Sequence, residues 1–217
     1  MRAQPRSLKS KTALQLRGGF SIGLTGGIAS GKSAAAKEIL ARLDIEYCDV
    51  DRIVHEFLEN DPQTREEVLE HFSESILDSS KKINRIALGK IVFASAEKRR
   101  ILESILHPKV RTEWMRLLGA AKERSGSILV EIPLLFEKGY ETQFDTVVLV
   151  ACSAKTQLQR MTNTRGIPLE KAKAMMAAQM TTHEKLSKAN HIIWNDGEFS
   201  CMSAQADYLL TKLLPYA

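Results

Sequence analysis

The feature that most constrains this chain is a run of eight residues, 26–33, which reads G-G-I-A-S-G-K-S and fills the pattern G-x-x-x-x-G-K-[ST]. Glycines let such a loop curl until successive backbone N–H groups point inward, and the positive end of the following helix adds to the attraction for phosphate. An apolar run at 20–25 and a helical pattern at 31–43 supply the strand and the helix that this loop requires on either side. The sequence therefore predicts a nucleotide-binding loop, hereafter the phosphate loop.

Two side chains of the phosphate loop have expected roles in addition to its backbone. Lys32 would reach the β- and γ-phosphates of ATP, and the Ser33 hydroxyl would hold Mg²⁺. ATP and Mg²⁺ are therefore the expected cofactors. The residues expected to contact the nucleotide are Gly26, Gly27, Ile28, Ala29, Ser30, Gly31, Lys32, Ser33 and Ala34.

Short apolar runs alternate with helical patterns along most of the chain. The run at 127–132 is almost continuously apolar, which is typical of a central parallel strand buried on both faces. This alternation predicts an α/β fold with a five-stranded, parallel, doubly wound sheet. The predicted strands are 20–25, 45–48, 127–132, 146–150 and 191–195.

The stretch 61–125 lacks any strand signal and has the pattern of consecutive helices, with Pro108 beginning a new one. It is far longer than an ordinary crossover between parallel strands, which needs about a dozen residues. We therefore expect a helical insertion at 61–125 that binds an acceptor. The nucleotide-binding core would then comprise 18–60 and 126–217.

The net charge of +5 resides entirely in residues 1–17, which contain five basic residues and no acidic one. The remainder is electrically balanced, so we expect no nucleic-acid partner. We interpret residues 1–17 as a disordered basic extension, although their composition also weakly resembles a transit peptide.

Three widely spaced cysteines indicate neither a disulfide framework nor a zinc site, and no run is long and apolar enough for a membrane span. A cytoplasmic protein without a membrane partner is expected. The oligomeric state is left open, with a monomer favoured.

A phosphate loop identifies a nucleotide but no reaction. The chain has neither the D-x-x-G and N-K-x-D motifs of GTPases nor the signature of ABC-type ATPases. A small kinase remains, in which a compact sheet, an acceptor-binding insertion and a basic lid act together. We predict the lid at about 158–182, with Arg160 and Arg165 as its catalytic cations.

The chain resembles the dephospho-coenzyme A kinase family from about residue 20 to residue 214. The motif Asp49-Val50-Asp51 stands where the family has Asp-Ala-Asp, after the run 23–28 that enters the phosphate loop. An ordered series of further residues carries the resemblance. It comprises Arg85, Leu88, Val92, Phe93, Leu102, Glu103, His107, Pro108, the run 133–137, Gln157, Arg160 and Gln179.

The resemblance implies transfer of the γ-phosphoryl group of ATP to the ribose 3′-hydroxyl of dephospho-coenzyme A, the expected small-molecule partner. Such transfer depends on positioning and charge neutralisation, which Lys32 and the lid arginines would supply. Asp51 would orient the acceptor hydroxyl as the base, with a helix N-cap as the alternative reading. Asp49 would orient metal-bound water.

Several further residues are expected at the two substrates. Arg85 would meet an acceptor phosphate or form an ordinary surface ion pair, and His107 would bind the acceptor or cap a helix junction. Glu131 could serve the metal, but a strand residue there could equally face the helical side, and Glu137 is slightly preferred. The remaining expected acceptor contacts are Pro133, Leu134, Leu135, Phe136 and Glu137, and the expected adenine neighbours are Asn195 and Gly197.

One departure from the family concerns the lid. Family members usually carry a second lid arginine at the position of Thr164, whereas this chain has Arg165 one place later. On an α-helix, a shift of one residue rotates a side chain by about 100°.

Two other functions stay open, namely a different small-molecule kinase and a regulatory ATP-binding module.

Overall fold

The computed structural model describes residues 14–16 and 18–213, and its central element is a sheet of five parallel strands in the order β2-β3-β1-β4-β5. This arrangement confirms the predicted α/β fold and parallel sheet. The strand that enters the phosphate loop lies in the middle of the sheet. The strands are β1 (Ser21–Gly26), β2 (Glu46–Asp49), β3 (Ile128–Glu131), β4 (Thr146–Ala151) and β5 (His191–Trp194).

The sheet belongs to one of two units into which the chain divides, made of the described residues up to Asp49 and those from Leu118 onward. Every residue of β1, β3 and β4 is buried, as expected for parallel strands covered on both faces. Ile22, Leu24 and Val148 are completely buried in its main apolar core. Its helices are α1 (Lys32–Leu40), α6 (Ala154–Gln159), α7 (Leu169–Ala177), α8 (Thr182–Lys188) and α9 (Phe199–Leu213).

The other unit, Val50–Leu117, is helical. Asp61 caps one of its helices by accepting a hydrogen bond from the backbone N–H of Thr64, and Pro62 occupies the first turn as expected. The expected insertion at 61–125 is thus helical, while its boundaries and its acceptor role stay predictions. Its helices are α2 (Val50–Asn60), α3 (Pro62–Phe72), α4 (Arg85–Ala94) and α5 (Ala96–Glu123), the last of which ends in the sheet unit.

The prediction of a helix break before Pro108 is wrong, because α5 runs without interruption through that residue. A proline inside a helix removes one backbone hydrogen bond and costs about 3 kcal/mol. The buried side chains of Leu106, Val110 and Trp114 lie four residues apart and form an apolar stripe on either side of the proline. Burial of such side chains contributes about 1.5 to 3 kcal/mol each, which offsets the loss.

Most of the expected disordered extension, residues 1–17, lies outside the described residues. Within the described part, the expectation of disorder is wrong. Leu14 pairs with Leu43, its backbone N–H donates to the carbonyl of Arg42, and Leu16 is buried in the main core. These apolar side chains pack under the sheet because they alternate with polar residues, a pattern that the basic composition of the segment concealed. No helix among the described residues has both the length and the apolar character of a membrane span.

Helix α8 was not foreseen from the sequence. Thr181 and Glu184 form a capping box, in which the hydroxyl of Thr181 accepts from the N–H of Glu184 and the carboxylate of Glu184 accepts from the N–H of Thr181. The helix then buries Lys185, whose Nζ lies 2.8 Å from Oε1 of Glu137. Glu137 also accepts a hydrogen bond from the N–H of Met180, so it fixes the start of α8 from two directions.

The buried ion pair gives a test of what holds α8. The side chain of Lys185 is 2% exposed and that of Glu137 is 17% exposed, so Lys185→Met would leave a largely buried carboxylate without its cation. We expect this substitution to lower the free energy of unfolding by about 3 kcal/mol. The measurement is urea unfolding monitored by circular dichroism.

Lys188→Met, in the same helix, is the matched control. Its partner Glu141 lies 2.9 Å away, but the side chains of this pair are 41% and 26% exposed. We expect a loss below about 1 kcal/mol. Equal losses for the two variants would contradict a specific role of the Lys185 pair.

Candidate active site

The phosphate loop joins the end of β1 to the start of α1 and has an unusual backbone. Gly31 has φ of 97° and Ala29 has φ of 57°, so the backbone twice enters the left-handed region. A side chain at Gly26 is excluded because its Cβ would lie 2.2 Å from the carbonyl oxygen of Val150. Ala29 lacks the freedom of glycine, so its conformation costs free energy and has to be imposed by its surroundings.

Side-chain amides from outside the loop hold both backbone groups of Ile28. Nε2 of Gln157, on α6, donates to the carbonyl of Ile28 at 2.8 Å, and the N–H of Ile28 donates to Oε1 of Gln179 at 2.9 Å. Gln179 lies between α7 and α8. Ile28 is therefore held by Gln157, which directly precedes the predicted lid, and by Gln179 within that lid.

The carbonyls of the next two residues are also held from outside. The guanidinium of Arg160 donates to the carbonyls of Ala29 and Ser30 at 3.3 Å each, and to the carbonyl of Asn195 at 2.9 Å. Nδ2 of Asn195 donates to the carbonyl of Ser30 at 2.7 Å. Arg160, expected as a lid cation, and Asn195, expected near the adenine, thus both bind the backbone of the phosphate loop, and their substrate roles stay predictions.

Apolar packing also joins the phosphate loop to the residues that follow α6. Ala29 forms a small cluster with the buried Met161, which directly follows Arg160, and with Ala172 of α7, and Ile28 packs against it. These contacts surround the residue with the strained backbone. They help to explain how a non-glycine residue holds a left-handed conformation at that position.

Lys32 turns back on its own loop. Its Nζ donates to the carbonyls of Gly26 and Gly27 at 3.2 and 3.3 Å. The ammonium is thereby placed within the curl of the loop, where the bound phosphates are expected. These two carbonyl bonds are the kind of contact that phosphate oxygens would replace.

The second group of polar side chains lies at the ends of β2 and β3. The hydroxyl of Ser33 donates to Oε1 of Glu131 at 3.1 Å, and the phenol of Tyr47 donates to Oε2 at 2.7 Å. Asp49 is the register partner of Glu131 on the neighbouring strand. Burial raises the pKa of the Glu131 carboxyl, an effect that the Tyr47 hydrogen bond opposes and the charge of Asp49 increases.

This group fits Mg²⁺. The ion takes oxygen ligands and is usually held by one or two carboxylates together with substrate phosphates, without a cage made entirely of protein. Ser33, Asp49 and Glu131 supply one hydroxyl and two carboxylates at one edge of the sheet. Accordingly, the described residues contain no cluster of three or more acidic, histidine or cysteine side chains that could hold a metal alone.

The run 133–137, which follows β3, contains both buried and partly exposed residues. The hydroxyl of Thr25 donates to the carbonyl of Pro133 at 3.2 Å, and Leu135 and Phe136 are buried, whereas Leu134 is partly exposed. Glu137 is engaged by α8, as described above. The expected acceptor role of this run stays a prediction.

Three predicted residues lie in the helical unit. Asp51 is exposed in the first turn of α2, and Arg85 is exposed and lies 2.6 Å from Nε2 of His55. His107 lies inside α5, so its expected position at a helix junction is wrong, for the reason given for Pro108. Their substrate roles stay predictions.

The segment after α6 forms a single π-helical turn, Arg160–Thr164, in which the N–H of Arg165 donates to the carbonyl of Arg160. Such turns occur often at functional sites. The side chain of Arg165 is exposed and makes no hydrogen bond or ion pair to any described residue.

Gly197 is exposed in the connection that follows β5 and lies close to Cys201.

Comparison with known proteins decides the family. The family model for CoaE, dephospho-CoA kinase, matches residues 20–200. The chain belongs to the dephospho-CoA kinase family. A dephospho-CoA kinase from Symbiobacterium thermophilum is 37% identical over 187 residues, which cover 86% of this chain and 78% of that protein.

Solved structures agree with this family. TT1252 from Thermus thermophilus has a TM-score of 0.71 at 30% identity, with 89% of this chain and 97% of that one covered. The dephospho-CoA kinase from Campylobacter jejuni has a TM-score of 0.64 at 28% identity, with 89% and 96% covered.

Sequence reasoning left out three residues that the geometry of this family member brings to the site. Glu131 was weighed without being assigned, because both faces of a parallel strand are buried and alternation does not tell which face a residue takes. Its register with Asp49 could not be read from either strand alone. Gln157 and Gln179 entered only as pieces of the family resemblance, without a role.

Proposed function

We propose that the protein transfers the γ-phosphoryl group of ATP to the ribose 3′-hydroxyl of dephospho-CoA and so yields CoA and ADP. The observation that carries this proposal is membership of the dephospho-CoA kinase family over residues 20–200. The phosphate loop supports the donor half, because Lys32 lies within its curl and Ser33 lies against a carboxylate.

Phosphoryl transfer needs positioning and charge neutralisation more than covalent participation by the protein. The N–H groups of the phosphate loop would bind the phosphate oxygens, and Lys32 would exchange its two carbonyl partners for the β- and γ-phosphates. Ser33 and Asp49, together with Glu131, would hold Mg²⁺. When bound, this ion supplies positive charge that offsets the charge on the phosphates.

Arg165 is the better candidate for the cation that meets the transferring phosphoryl group. Arg160 is engaged by three backbone carbonyls, whereas Arg165 is exposed. In an α-helix, the residue four places after Arg160 would lie one turn above it and donate to its carbonyl. In the π turn, the donor to the Arg160 carbonyl is the N–H of Arg165, five places later. The extra residue thus offsets the one-place shift caused by Thr164.

The acceptor side is proposed from the family resemblance. Asp51 would orient the 3′-hydroxyl and accept its proton, Arg85 and His107 would bind the acceptor, and the run 133–137 would shape its cleft. Asn195 and Gly197 would lie near the adenine. We further propose a cytoplasmic enzyme, which accords with three cysteines that form no disulfide among the described residues.

A coupled ADP-release assay with purified protein tests the function. We expect dephospho-CoA to be the best acceptor, with phosphate added at its 3′-oxygen as located by ³¹P NMR. Faster turnover with adenosine or AMP would instead indicate another small-molecule kinase. The absence of any acceptor-dependent turnover would support a regulatory ATP-binding module.

Variants of the loop lysine and the paired aspartates test the assigned roles. We expect Lys32→Ala and Asp51→Asn each to lower kcat at least ~10²-fold, because each removes a charge-stabilising or base group. Asparagine caps a helix about as well as aspartate, so Asp51→Asn separates catalysis from capping. If Asp51→Asn is active while Asp49→Asn is inactive, the two roles are reversed.

The two arginines of the π turn should respond differently. We expect Arg165→Ala to lower kcat about 10²-fold while leaving the unfolding midpoint unchanged, since its exposed side chain makes no hydrogen bond or ion pair to any described residue. Arg160→Ala should raise KM for ATP and lower the midpoint, because the carbonyls of Ala29 and Asn195 lose the guanidinium donor and that of Ser30 loses one of its two donors. Normal kcat in Arg165→Ala would remove Arg165 from the mechanism.

A further inference from the structure

Gln157 and Gln179 remain without a role in the mechanism above, although both contact the phosphate loop. Gln157 is buried in α6, and Gln179 is partly buried in the connection between α7 and α8. They are 22 positions apart in sequence, yet their amides meet the same residue, Ile28. The two contacts occupy the only two polar groups that Ile28 has.

The chemistry of Ile28 fixes which end of each amide faces it. A backbone carbonyl can only accept, so Gln157 must present its NH₂ group, and a backbone N–H can only donate, so Gln179 must present its oxygen. The observed distances of 2.8 and 2.9 Å are those of good hydrogen bonds. The two glutamines thus have opposite roles, one as donor and one as acceptor, which cannot be exchanged.

The glycine before Ile28 makes room for this arrangement. A Cβ at Gly27 would lie 2.5 Å from Nε2 of Gln157 and 3.8 Å from Oε1 of Gln179. The residue after Ile28 is Ala29, with its left-handed backbone. The two amides therefore hold the peptide units that lead directly into the strained residue.

Each glutamine is itself fixed by neighbouring structure. The helix of Gln157 is capped by Ser153, whose hydroxyl accepts from the N–H of Thr156. Gln179 directly precedes Met180, whose N–H donates to Glu137, the partner of the buried Lys185. The positions of both amides are thus set by capped or ion-paired elements of the sheet unit.

We propose that Gln157 and Gln179 are positioning residues, which act through Ile28 to set the direction of the N–H groups of the phosphate loop during phosphoryl transfer. Donors contribute most to catalysis when they are already aimed at the place where charge develops. A loop released at Ile28 would still bind nucleotide, but its N–H groups would have to be reoriented at each turnover. The loss should fall on kcat.

Methionine variants test the proposal without adding charge. Gln157→Met and Gln179→Met keep a similar side-chain volume and remove the hydrogen bond, so each should lower kcat about tenfold, the equivalent of one neutral hydrogen bond. KM for dephospho-CoA should stay unchanged. Because both amides hold one residue, the double variant should lose less than the product of the two single effects. Gln159→Met, at an exposed position of the same helix, is the matched control and should keep normal kcat.

Glutamate variants separate positioning from a merely structural role. Gln179→Glu keeps an oxygen that accepts from the N–H of Ile28, whereas Gln157→Glu has no group that can donate to the carbonyl of Ile28. Both add one negative charge, so their difference isolates the hydrogen bond. We expect Gln179→Glu to have at least about tenfold higher kcat than Gln157→Glu. Equal values, or the reverse order, would overturn the proposal, as would methionine variants with normal kcat.

The inference rests on the proposed function, and the two can fail separately. Wild-type protein without dephospho-CoA-dependent ADP release would refute the function. Active wild-type protein whose glutamine variants behave like Gln159→Met would refute only the inference.

Discussion

The conformation of the phosphate loop is the constraint on which the rest of the sheet unit depends. A loop that aims its N–H groups inward has to turn its carbonyls outward, and those carbonyls need donors. For the carbonyls of residues 28–30, the donors are side chains of other elements, namely Gln157, Arg160 and Asn195. The loop also contains Ala29 in a left-handed conformation, which persists because contacts on several sides impose it.

The parallel sheet explains why these contacts converge. In an open α/β sheet, ligands bind beyond the carboxyl ends of the strands, and all five strands here end at the same edge. With β1 in the centre, β3 and β2 supply Glu131 and Asp49 on one side of the loop. On the other side, β4 leads into α6 with Gln157, and β5 leads into Asn195. Carboxylates therefore lie on one flank of the phosphate loop, whereas amide donors lie on the other.

Local patterns made much of the fold predictable from the sequence. The loop motif, the five strands and the first turn at Pro62 each depend on residues close together in the chain. The continuity of α5 through Pro108 could not be predicted, because burial of Leu106, Val110 and Trp114 outweighs a local preference. Helix α8 was missed because its short length leaves little periodicity, although its capping box was readable.

The loop motif of the site could be predicted from the sequence, whereas the contacts that hold the loop and complete the site were less predictable. Lys32 and Ser33 follow from the loop pattern, but the role of Glu131 depends on its register with Asp49. The roles of Gln157 and Gln179 depend on which end of each amide meets Ile28, which is a property of the folded chain. The π turn that places Arg165 adds one residue to a helix, and no composition or periodicity in that stretch signals it.

The central claim is that the phosphate loop is held in its binding conformation by side chains before any nucleotide arrives. The hydrogen-exchange rate of the Ile28 amide in nucleotide-free protein tests it most directly, because that amide donates to Gln179. The account requires exchange at least ~10²-fold slower than in an unstructured peptide, as expected for an amide held by a stable contact. Exchange near the unstructured rate would contradict it and would mean that nucleotide binding itself orders the loop.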